Sequence, residues 1–208
     1  MFAAKYNASG NDFVIFHGFV SKDRSDLAIR VCNRHSGIGA DGMVVLLPCS
    51  EYDFMWEFYN SDGSKASMCG NATRAAAHYA YTHGLCSKEC SFLTGAGVIK
   101  ASIKADFVIS DLTEPTLLQE GIHSHAMVWD LLDTGVPHLV SFVEDISEFD
   151  LDMAKPLRRQ YNANVNIYTI QGGDLFVRTF ERGVETETQA CGTGIAACFL
   201  QANTNNRC

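Results

Sequence analysis

An internal repeat constrains the fold of this chain more than any other feature of its sequence. The pair Cys69-Gly70 returns 122 residues later as Cys191-Gly192, and each pair follows a polar turn and precedes an alanine-rich segment. Likewise, Ser9–Ile15 (SGNDFVI) resembles Thr134–Val140 (TGVPHLV), 125 residues further on. Two similarities in the same order and at nearly the same spacing indicate two copies of one structural unit.

Short apolar or aromatic runs between turn residues predict strands throughout both copies. The predicted strands are 13–16, 43–47, 54–59, 91–94, 98–103, 107–110, 128–132, 139–143, 165–170 and 175–180. Helical spacing or small-residue content predicts helices over 23–33, 72–83 and 194–201. Strands outnumber helices without a regular β-α-β alternation, which favours an α+β architecture. No low-complexity tract separates the copies, so we place a boundary near 112–115 and predict domains 1–114 and 115–208.

The composition excludes several classes of protein. Hydrophobic residues make up 47% of the 208-residue chain and charged residues 19%, as in ordinary globular proteins. No apolar run reaches the ~20 residues of a membrane-spanning helix, so no membrane association is expected. The net charge of −8 and the absence of a basic run argue against nucleic-acid binding. The N-terminal stretch MFAAKYNASGNDF lacks the apolar segment of a secretion signal, so we expect a cytoplasmic protein with reduced cysteines.

The two Cys-Gly pairs gain chemical meaning from their position at predicted helix starts. The first backbone N–H groups of a helix lack intrahelical partners, and the helix dipole adds a partial positive charge there. A thiol in that position can have its pKa lowered to about 3.5–7.5. The same N–H groups can hold a carboxylate or phosphate. Each copy is therefore expected to supply one activated sulfur, that of Cys69 or Cys191, beside one anion-binding site.

Two such sulfurs on opposite sides of one carboxylate-bearing molecule could invert a stereocentre without a cofactor. One thiolate would remove the α-proton, the opposite thiol would deliver a proton to the other face, and the helix starts would stabilise the developing charge. Two other interpretations stay open at this point. The Cys-Gly pairs could serve packing alone, or Cys69 and Cys191 could form a regulatory disulfide.

Six ordered motifs give the chain a family resemblance. They are Ser9–Val14 (SGNDFV), Arg34–Gly42 (RHSGIGADG), Phe58–Ser64 (FYNSDGS), Met68–Asn71 (MCGN), Glu181–Val184 (ERGV) and Ala190–Gly194 (ACGTG). In this order, and from residue 1 to about residue 200, they closely resemble diaminopimelate epimerase. The resemblance implies two pseudo-symmetric α+β domains, each with a curved, mostly antiparallel sheet wrapped around a central helix, and an active site between them.

The resemblance also implies an activity, the pyridoxal-independent interconversion of LL- and meso-2,6-diaminopimelate in bacterial lysine and peptidoglycan synthesis. The implied protein is an isomerase with a small-molecule substrate, no cofactor and, from the family, a homodimeric assembly. A proline racemase or hydroxyproline epimerase of the same architecture typically has Met-Cys-Gly-His, so Asn71 argues against that alternative. A third alternative is a catalytically silent ligand-binding or thiol-redox protein on this fold.

Site residues follow from the resemblance, motif by motif. Cys69 and Cys191 would be the acid/base thiols. The residues that would bind the reacting carboxylate are Gly70, Asn71, Gly192 and Thr193. The residues that would hold the distal amino-acid head are Asn11, Asn60, Asn164 and Arg182, whose amide and guanidinium groups suit ammonium and carboxylate partners. Glu181 and His138 would lie near the sulfurs and tune their protonation, and Glu181 would also contact the substrate.

Three features depart from the family pattern. Val136 stands where the family commonly has asparagine in a Gly-Asn-Pro-His turn, and Gly42 stands where many members have glutamine. Each difference removes an expected polar contact. The sequence ends with Ala202–Cys208 where the family continues into further strands, and we expect this to weaken domain closure.

The seven histidines do not predict a metal site. His123 and His125 follow a glycine in a predicted loop, while His78 and His83 are five residues apart and so do not share one helical face. No cysteine or carboxylate companion completes a recognisable ligand set. The glycine-rich segments also lack the G-x-G-x-x-G pattern of dinucleotide-binding folds.

Overall fold

The computed structural model describes residues 3–105 and 107–205, which form two compact units. The first unit runs to Thr113 and the second begins at Glu114. Each unit is a mostly antiparallel sheet with helices packed against it, so the predicted α+β class is confirmed. The predicted limits of independent domains, 1–114 and 115–208, stay a prediction.

The first unit has seven strands that follow one another across the sheet in chain order. They are β1 (Ala4–Ala8), β2 (Asn11–His17), β3 (Gly42–Leu47), β4 (Phe54–Asn60), β5 (Glu89–Thr94), β6 (Gly97–Ile103) and β7 (Val108–Ser110). Helix α1 (Ser25–Cys32) connects β2 to its parallel partner β3, and helix α2 (Gly70–Thr82) connects β4 to its parallel partner β5. The other four strand pairs are antiparallel.

The second unit has six strands in the order β13-β12-β11-β10-β9-β8. They are β8 (Thr116–Ser124), β9 (Met127–Asp133), β10 (Pro137–Phe142), β11 (Asn164–Gln171), β12 (Asp174–Glu181) and β13 (Thr186–Thr188). A short 3-10 turn (Ile146–Glu148) and helix α3 (Leu151–Tyr161) connect β10 to its parallel partner β11. Helix α4 (Gly192–Thr204) ends the described chain, and the remaining strand pairs are antiparallel.

The first sheet curls around helix α2. This helix contacts both edge strands, β1 and β7, as well as β2, β3 and β6 between them. One helix can touch both edges of a seven-stranded sheet only if the sheet bends around it. The residues at the contact are small, since Ala72, Ala76, Ala77 and Ala80 are all fully buried. The alanine content that predicted this helix therefore also allows the close approach of strands from several sides.

Both sheets are covered on two faces, which explains their continuous apolar strands. In the first unit, Val14 and Phe16 of β2 pack in one cluster with Ala28 and Cys32 of α1. In the second unit, one cluster joins strand residues to α3, and another joins Val140 of β10 to Ala197, Cys198 and Ala202 of α4. The core of each unit thus lies in two layers, one on either side of the sheet.

The internal repeat is visible in the element bounds. Helices α2 and α4 both have 13 residues, and they begin at Gly70 and Gly192, directly after the repeated cysteines. Strands β3 and β11 begin at Gly42 and Asn164, which are separated by the same 122 residues. Both helices begin two residues earlier than predicted. In the first unit three strands follow α2, whereas no described strand follows α4.

Helix α3 and strands β1, β8 and β13 were not predicted from the sequence. Pro156 lies inside α3 and removes one helical hydrogen bond, so the local sequence argues against a helix. The Asp150 carboxylate caps α3 by accepting from the Asp152 N–H at 2.8 Å, and Ala154 and Leu157 are buried against the sheet. Capping and burial therefore outweigh the local effect of proline.

Candidate functional site

In the first unit, the predicted polar residues lie at one end of the sheet. Asn11 begins β2, Gly42 begins β3 and Asn60 ends β4, and Gly42 pairs with both Phe13 and Asn60. Parallel pairing of β2 with β3 and antiparallel pairing of β3 with β4 bring these positions to the same edge. Cys69, immediately before α2, donates from its thiol to the Asn11 Oδ1 atom at 3.7 Å. The structure thus brings Asn11 and Cys69 together.

The orientation of the Asn11 amide is set by a carboxylate. Its Nδ2 atom donates to Asp41 Oδ2 at 2.8 Å. Because a carboxylate only accepts hydrogen bonds, the amide oxygen of Asn11 must face the other way, toward Cys69. Asp41 is held in turn by Arg34, at 2.7 Å, and by the N–H of Asp12, at 3.0 Å. Arg34 and Asp41 were not named as site residues, although both lie in one of the six motifs.

The other predicted residues of the first unit have local partners. The Asn60 Nδ2 atom donates to Ser64 Oγ at 3.0 Å, and the buried Asn71 accepts from the Arg74 guanidinium. A Cβ added at Gly70 would meet its nearest atom, in Leu112, at 3.7 Å, which is ordinary contact. Packing within this unit therefore does not require glycine there, whereas approach of a ligand to the backbone would favour it.

Steric crowding explains why position 42 has a glycine rather than a residue with a polar side chain. A Cβ at this position would lie 2.8 Å from the Phe58 ring and 2.9 Å from the Tyr59 carbonyl oxygen. The space that a polar side chain would need is thus filled by Phe58. The expected loss of one polar contact at position 42 is accompanied by an aromatic ring packed over the glycine.

In the second unit, the predicted residues again share one end of a sheet. His138 of β10 pairs with Asn164, the first residue of β11, and Glu181 ends β12. The next residue, Arg182, donates from its backbone N–H to Asn164 Oδ1 at 2.7 Å and from its guanidinium to the Asn162 carbonyl at 2.8 Å. Burial, followed by the positive charge of Arg158, lowers the pKa of Arg182. A carboxylate ligand would stabilise such a partly buried cation.

Cys191 lies at the start of α4, within a buried polar cluster. Its backbone is extended and its carbonyl accepts from the Ile195 N–H at 2.9 Å, as expected for the residue before a helix. Its sulfur lies 3.5 Å from Thr193 Oγ1, and that oxygen lies 2.9 Å from His138 Nε2. The structure therefore brings Thr193 to the sulfur, and His138 reaches it through Thr193.

The pKa of Cys191 differs from the sequence expectation. Burial raises it to about 11, and the charge of Glu181 acts in the same direction. The Thr193 hydroxyl and the backbone N–H groups of Gly194 and Thr193 act in the opposite direction and are outweighed. The prediction of a lowered pKa at this helix start is thus wrong for Cys191, because desolvation exceeds the effect of the helix terminus. Burial therefore favours the protonated form of Cys191, which is a proton donor.

Thr134 and Asn166 lie near Cys191 and were not predicted as site residues. Thr134 Oγ1 donates to the Thr193 carbonyl at 3.0 Å, and Asn166 lies beneath the start of α4. A Cβ at Gly194 would lie 2.5 Å from Asn166 Oδ1 and 3.3 Å from the Cys191 sulfur. In the sequence, only Gly194, the second glycine of the Cys-Gly-Thr-Gly segment, indicated this close packing.

Neither Cys69 nor Cys191, which could have formed a regulatory disulfide, is in a disulfide in this structure. In the part of the chain that the structure describes, seven cysteines lie outside any disulfide: Cys32, Cys49, Cys69, Cys86, Cys90, Cys191 and Cys198. Cys208 lies outside the described residues. Cys86 and Cys90 are hydrogen-bonded to each other, and this hydrogen bond lowers the pKa of Cys86. This thiol pair is separate in sequence and in environment from the two Cys-Gly helix starts.

Residues 3–105 and 107–205 contain neither a cluster of metal-ligating side chains nor a membrane-spanning helix. No group of three or more histidine, cysteine, aspartate or glutamate side chains in these ranges could hold a metal ion. Within the same ranges, no helix has both the length and the apolar character that crossing a membrane requires.

Sequence comparisons relate the chain to one family. The sequence profile of diaminopimelate epimerase matches residues 3–118 and 131–208. The diaminopimelate epimerase of a Nitratiruptor species is 62% identical over 199 residues, covering 95% of this chain and 80% of the relative. The enzyme of the same name from Campylobacter lari is 52% identical over 98% of this chain and 82% of the relative, and that of Helicobacter pylori is 46% identical over 95% and 79%.

Solved structures confirm the fold. A probable proline racemase from Agrobacterium radiobacter K84 superimposes with a TM-score of 0.77 at 13% identity, covering 99% of this chain and 78% of that one. A hydroxyproline epimerase from Agrobacterium vitis gives a TM-score of 0.73 at 15% identity, covering 99% and 77%. At these identities the likeness concerns the fold alone, and it agrees with the predicted curved two-copy architecture.

Proposed function

The chain belongs to the diaminopimelate epimerase family, and from this premise we propose that it interconverts LL- and meso-2,6-diaminopimelate with two thiols and no cofactor. One observation carries the mechanistic part of this proposal. Both 13-residue helices begin directly after a cysteine in extended conformation, at positions 122 residues apart, with polar side chains beside each sulfur. A fold that repeats a thiol in this position supplies two equivalent proton-transfer groups.

In the proposed reaction, Cys69 and Cys191 act on opposite faces of one α-carbon. One sulfur, as thiolate, takes the α-proton, and the C–H electron pair remains on the carbon and its carboxylate. The other sulfur, as thiol, then gives its proton to the opposite face, so that the configuration inverts.

The reacting carboxylate is assigned to the two helix starts. Backbone N–H groups at Gly70, Asn71, Gly192 and Thr193 lie in the first turns of α2 and α4, where they lack helical acceptors. They would stabilise the charge that builds on the carboxylate when the α-proton leaves. These residues would bind the substrate, and the two sulfurs alone would transfer protons.

The distal amino-acid head is assigned to amides and one arginine. Asn11 and Asn60 lie at one sheet end of the first unit, and Asn164, Glu181 and Arg182 lie at the corresponding end of the second. Asn60 and Arg182 are separated by the same 122 residues as the two cysteines. Amides can contact both an ammonium and a carboxylate, and the guanidinium matches the carboxylate. His138 acts on Cys191 through Thr193 in this proposal.

Three further parts of the proposal follow from the family resemblance. The reaction would serve the synthesis of lysine and peptidoglycan precursors, the protein would work in the bacterial cytoplasm, and it would form a homodimer. The assembly can be measured by sedimentation of the purified protein, and a monomer at micromolar concentration would remove the dimer from the proposal.

The substrate is tested by isotope exchange. The protein is incubated in deuterium oxide under reducing conditions with LL-diaminopimelate and, separately, with proline, and α-deuterium and meso product are followed by NMR. Exchange into diaminopimelate alone is the expected result. Exchange into proline would favour the related racemase, and exchange into neither would favour a catalytically silent protein.

The two-thiol mechanism is tested by Cys69→Ser and Cys191→Ser. Each substitution should reduce the epimerisation rate at least ~10²-fold, the usual scale for loss of a positioned acid or base. Cys49→Ser is the matched control, because Cys49 is a half-buried free thiol in the segment between β3 and β4. Normal turnover by either of the first two variants would contradict the mechanism and leave the family assignment in place.

A further inference from the structure

We infer that Asn166 is a positioning residue for Cys191, because it fixes the tautomer of His138 and thereby the direction of the Thr193 hydroxyl. Asn166 is fully buried on β11, two residues after Asn164. Its side chain contacts His138 directly and Thr193 only through His138. Asn166 acts on Cys191 through two hydrogen bonds, one from Asn166 to His138 and one from His138 to Thr193. In each bond, the neighbouring groups determine which atom is the donor.

The first step is the orientation of the Asn166 amide. Its Nδ2 atom lies 3.1 Å from the Leu139 carbonyl oxygen, which can only accept a hydrogen bond. Its Oδ1 atom accepts from the Thr179 hydroxyl on β12 at 2.8 Å. The amide is thus held from both sides. Its second N–H has two acceptors within reach, His138 Nδ1 at 3.1 Å and the Asn164 carbonyl oxygen at 3.4 Å, and we assign it to the nearer one, His138 Nδ1.

The second step is the tautomer of His138. Burial lowers the pKa of His138 to about 3. The hydrogen bond with Asn166 opposes this shift and the positive charge of Arg182 adds to it, so the ring is neutral near pH 7. A neutral imidazole has one donor nitrogen and one acceptor nitrogen. Since Nδ1 accepts from Asn166, the proton resides on Nε2. The opposite tautomer would place two donors against each other in a fully buried position, and an unsatisfied buried donor is costly.

Asn164 does not reverse this assignment. Its Nδ2 atom lies 3.4 Å from His138 Nε2, farther than Thr193 Oγ1 at 2.9 Å. The Asn164 Nδ2 atom also lies 3.3 Å from the Pro137 carbonyl oxygen, which accepts from it instead. With the proton on Nε2, every amide and ring nitrogen of this cluster has a partner.

The third step is the Thr193 hydroxyl. His138 Nε2–H donates to Thr193 Oγ1, so the hydroxyl proton is available for the Cys191 sulfur at 3.5 Å. With the other tautomer, Thr193 would donate to His138 Nε2, and the sulfur would lose its hydroxyl donor and keep only the backbone N–H groups of Thr193 and Gly194. A hydroxyl donor stabilises a thiolate, so Asn166 favours the form of Cys191 that accepts a proton. Glu181 on β12 and Cys198 in α4 are the other titratable groups that act electrostatically on Cys191 or are acted on by it.

The inference rests on the proposed function only where it concerns catalysis, so its first test needs no activity. The uniformly 15N-labelled protein is studied by NMR, and the His138 ring is assigned by comparison with His138→Gln. Near pH 7 we expect a protonated Nε2 and an unprotonated Nδ1. A ring protonated on Nδ1 would overturn the inference, even if the enzyme epimerises diaminopimelate normally.

The second test is kinetic and uses Asn166→Leu, which keeps the approximate side-chain size but has no donor. We expect kcat to fall roughly 10- to 100-fold with little change in KM, as for loss of one hydrogen bond to a charged group. Both reaction directions are measured, and in the one in which Cys191 is the base the ascending limb of the kcat–pH profile should move to higher pH. Thr169→Val is the control, since Thr169 is buried on the same strand but donates to the Glu144 carbonyl outside this cluster.

The two tests separate the possible failures. An Asn166→Leu variant that is folded and has an unchanged kcat and pH profile would overturn the inference. If that variant does not fold, the NMR measurement on the unaltered protein still decides the tautomer. If neither protein epimerises diaminopimelate but Nε2 carries the proton, the proposed function fails and the positioning of Thr193 by Asn166 and His138 stands.

Discussion

Hydrogen-bond direction distinguishes the two repeated cysteines at the residue scale. The Cys69 thiol donates to Asn11 Oδ1, an acceptor, whereas Cys191 has the Thr193 hydroxyl as its neighbour. An acceptor beside a thiol favours the protonated sulfur, and a donor favours the thiolate. The repeat therefore places equivalent sulfurs in unlike surroundings, which is useful to an enzyme whose two groups exchange the roles of acid and base.

Asp41 should control the amide beside Cys69. In Asp41→Ala the Asn11 Nδ2 atom loses its acceptor and the amide can rotate, so we expect the epimerisation rate to fall roughly tenfold or more. Asp41→Asn retains an amide oxygen that can accept from Asn11 and should keep most of the activity. Steady-state rates for both variants provide the check. Equal losses would show that the charge of Asp41, rather than the orientation of Asn11, is required.

Helix α4 shows at the element scale how close packing limits the sequence. Its first turn lies over β11 and β12, and Gly194 has no room for a side chain between Asn166, Thr179 and Cys191. Helix α2 has a looser start, because a Cβ at Gly70 would make ordinary contact. Packing within the unit therefore requires glycine at position 194 in α4 but does not require it at position 70 in α2.

Gly194→Ala should destabilise the protein although alanine is a better helix former than glycine. The added Cβ would lie 2.5 Å from Asn166 Oδ1, and relief of such overlap typically costs about 1–3 kcal/mol. Gly70→Ala is the control, and its free energy of unfolding should be close to that of the unaltered protein. Urea unfolding of the two variants measures the difference. A Gly194→Ala protein as stable as Gly70→Ala would contradict the packing argument.

The distribution of charge couples stability to pH at the scale of the whole molecule. Burial opposes the charge of Asp12, but hydrogen bonds from Arg34 at 2.8 and 3.1 Å, and from Lys5 and the Asp41 N–H, outweigh it. The pKa of Asp12 is consequently held well below its usual range. A carboxylate with a lowered pKa in the folded state stabilises the protein above its unfolded pKa and loses that effect as the pH falls.

The free energy of unfolding should therefore decrease as the pH is lowered from about 4, near the pKa of an aspartate in the unfolded chain. Asp12→Asn should be less stable at neutral pH and should show a shallower decrease below pH 4. Asp152→Asn is the control, because the ion pair of Asp152 with Lys155 is exposed and contributes little. Urea unfolding at several pH values measures both slopes, and identical slopes for Asp12→Asn and the unaltered protein would refute this role of Asp12.

Strands with continuous apolar residues and helices with many small residues were predicted within a few residues of their observed bounds. Helix α3 was not predicted because Pro156 lies inside it and is unfavourable in helices. The internal repeat nevertheless indicated a helix at this place. Helix α1 connects β2 to β3 in the first copy, so the second copy required a helix between β10 and β11.

The sequence alone determined the two-copy α+β architecture, the cysteines at both helix starts and the family, because repeats, turn residues and motifs are local and survive without coordinates. Only the tertiary structure decided the protonation of Cys191, the orientation of Asn11 by Asp41 and the place of Asn166 beneath α4. These properties depend on burial and on hydrogen bonds between residues far apart in the chain, and desolvation at Cys191 exceeds the local effect of the helix terminus.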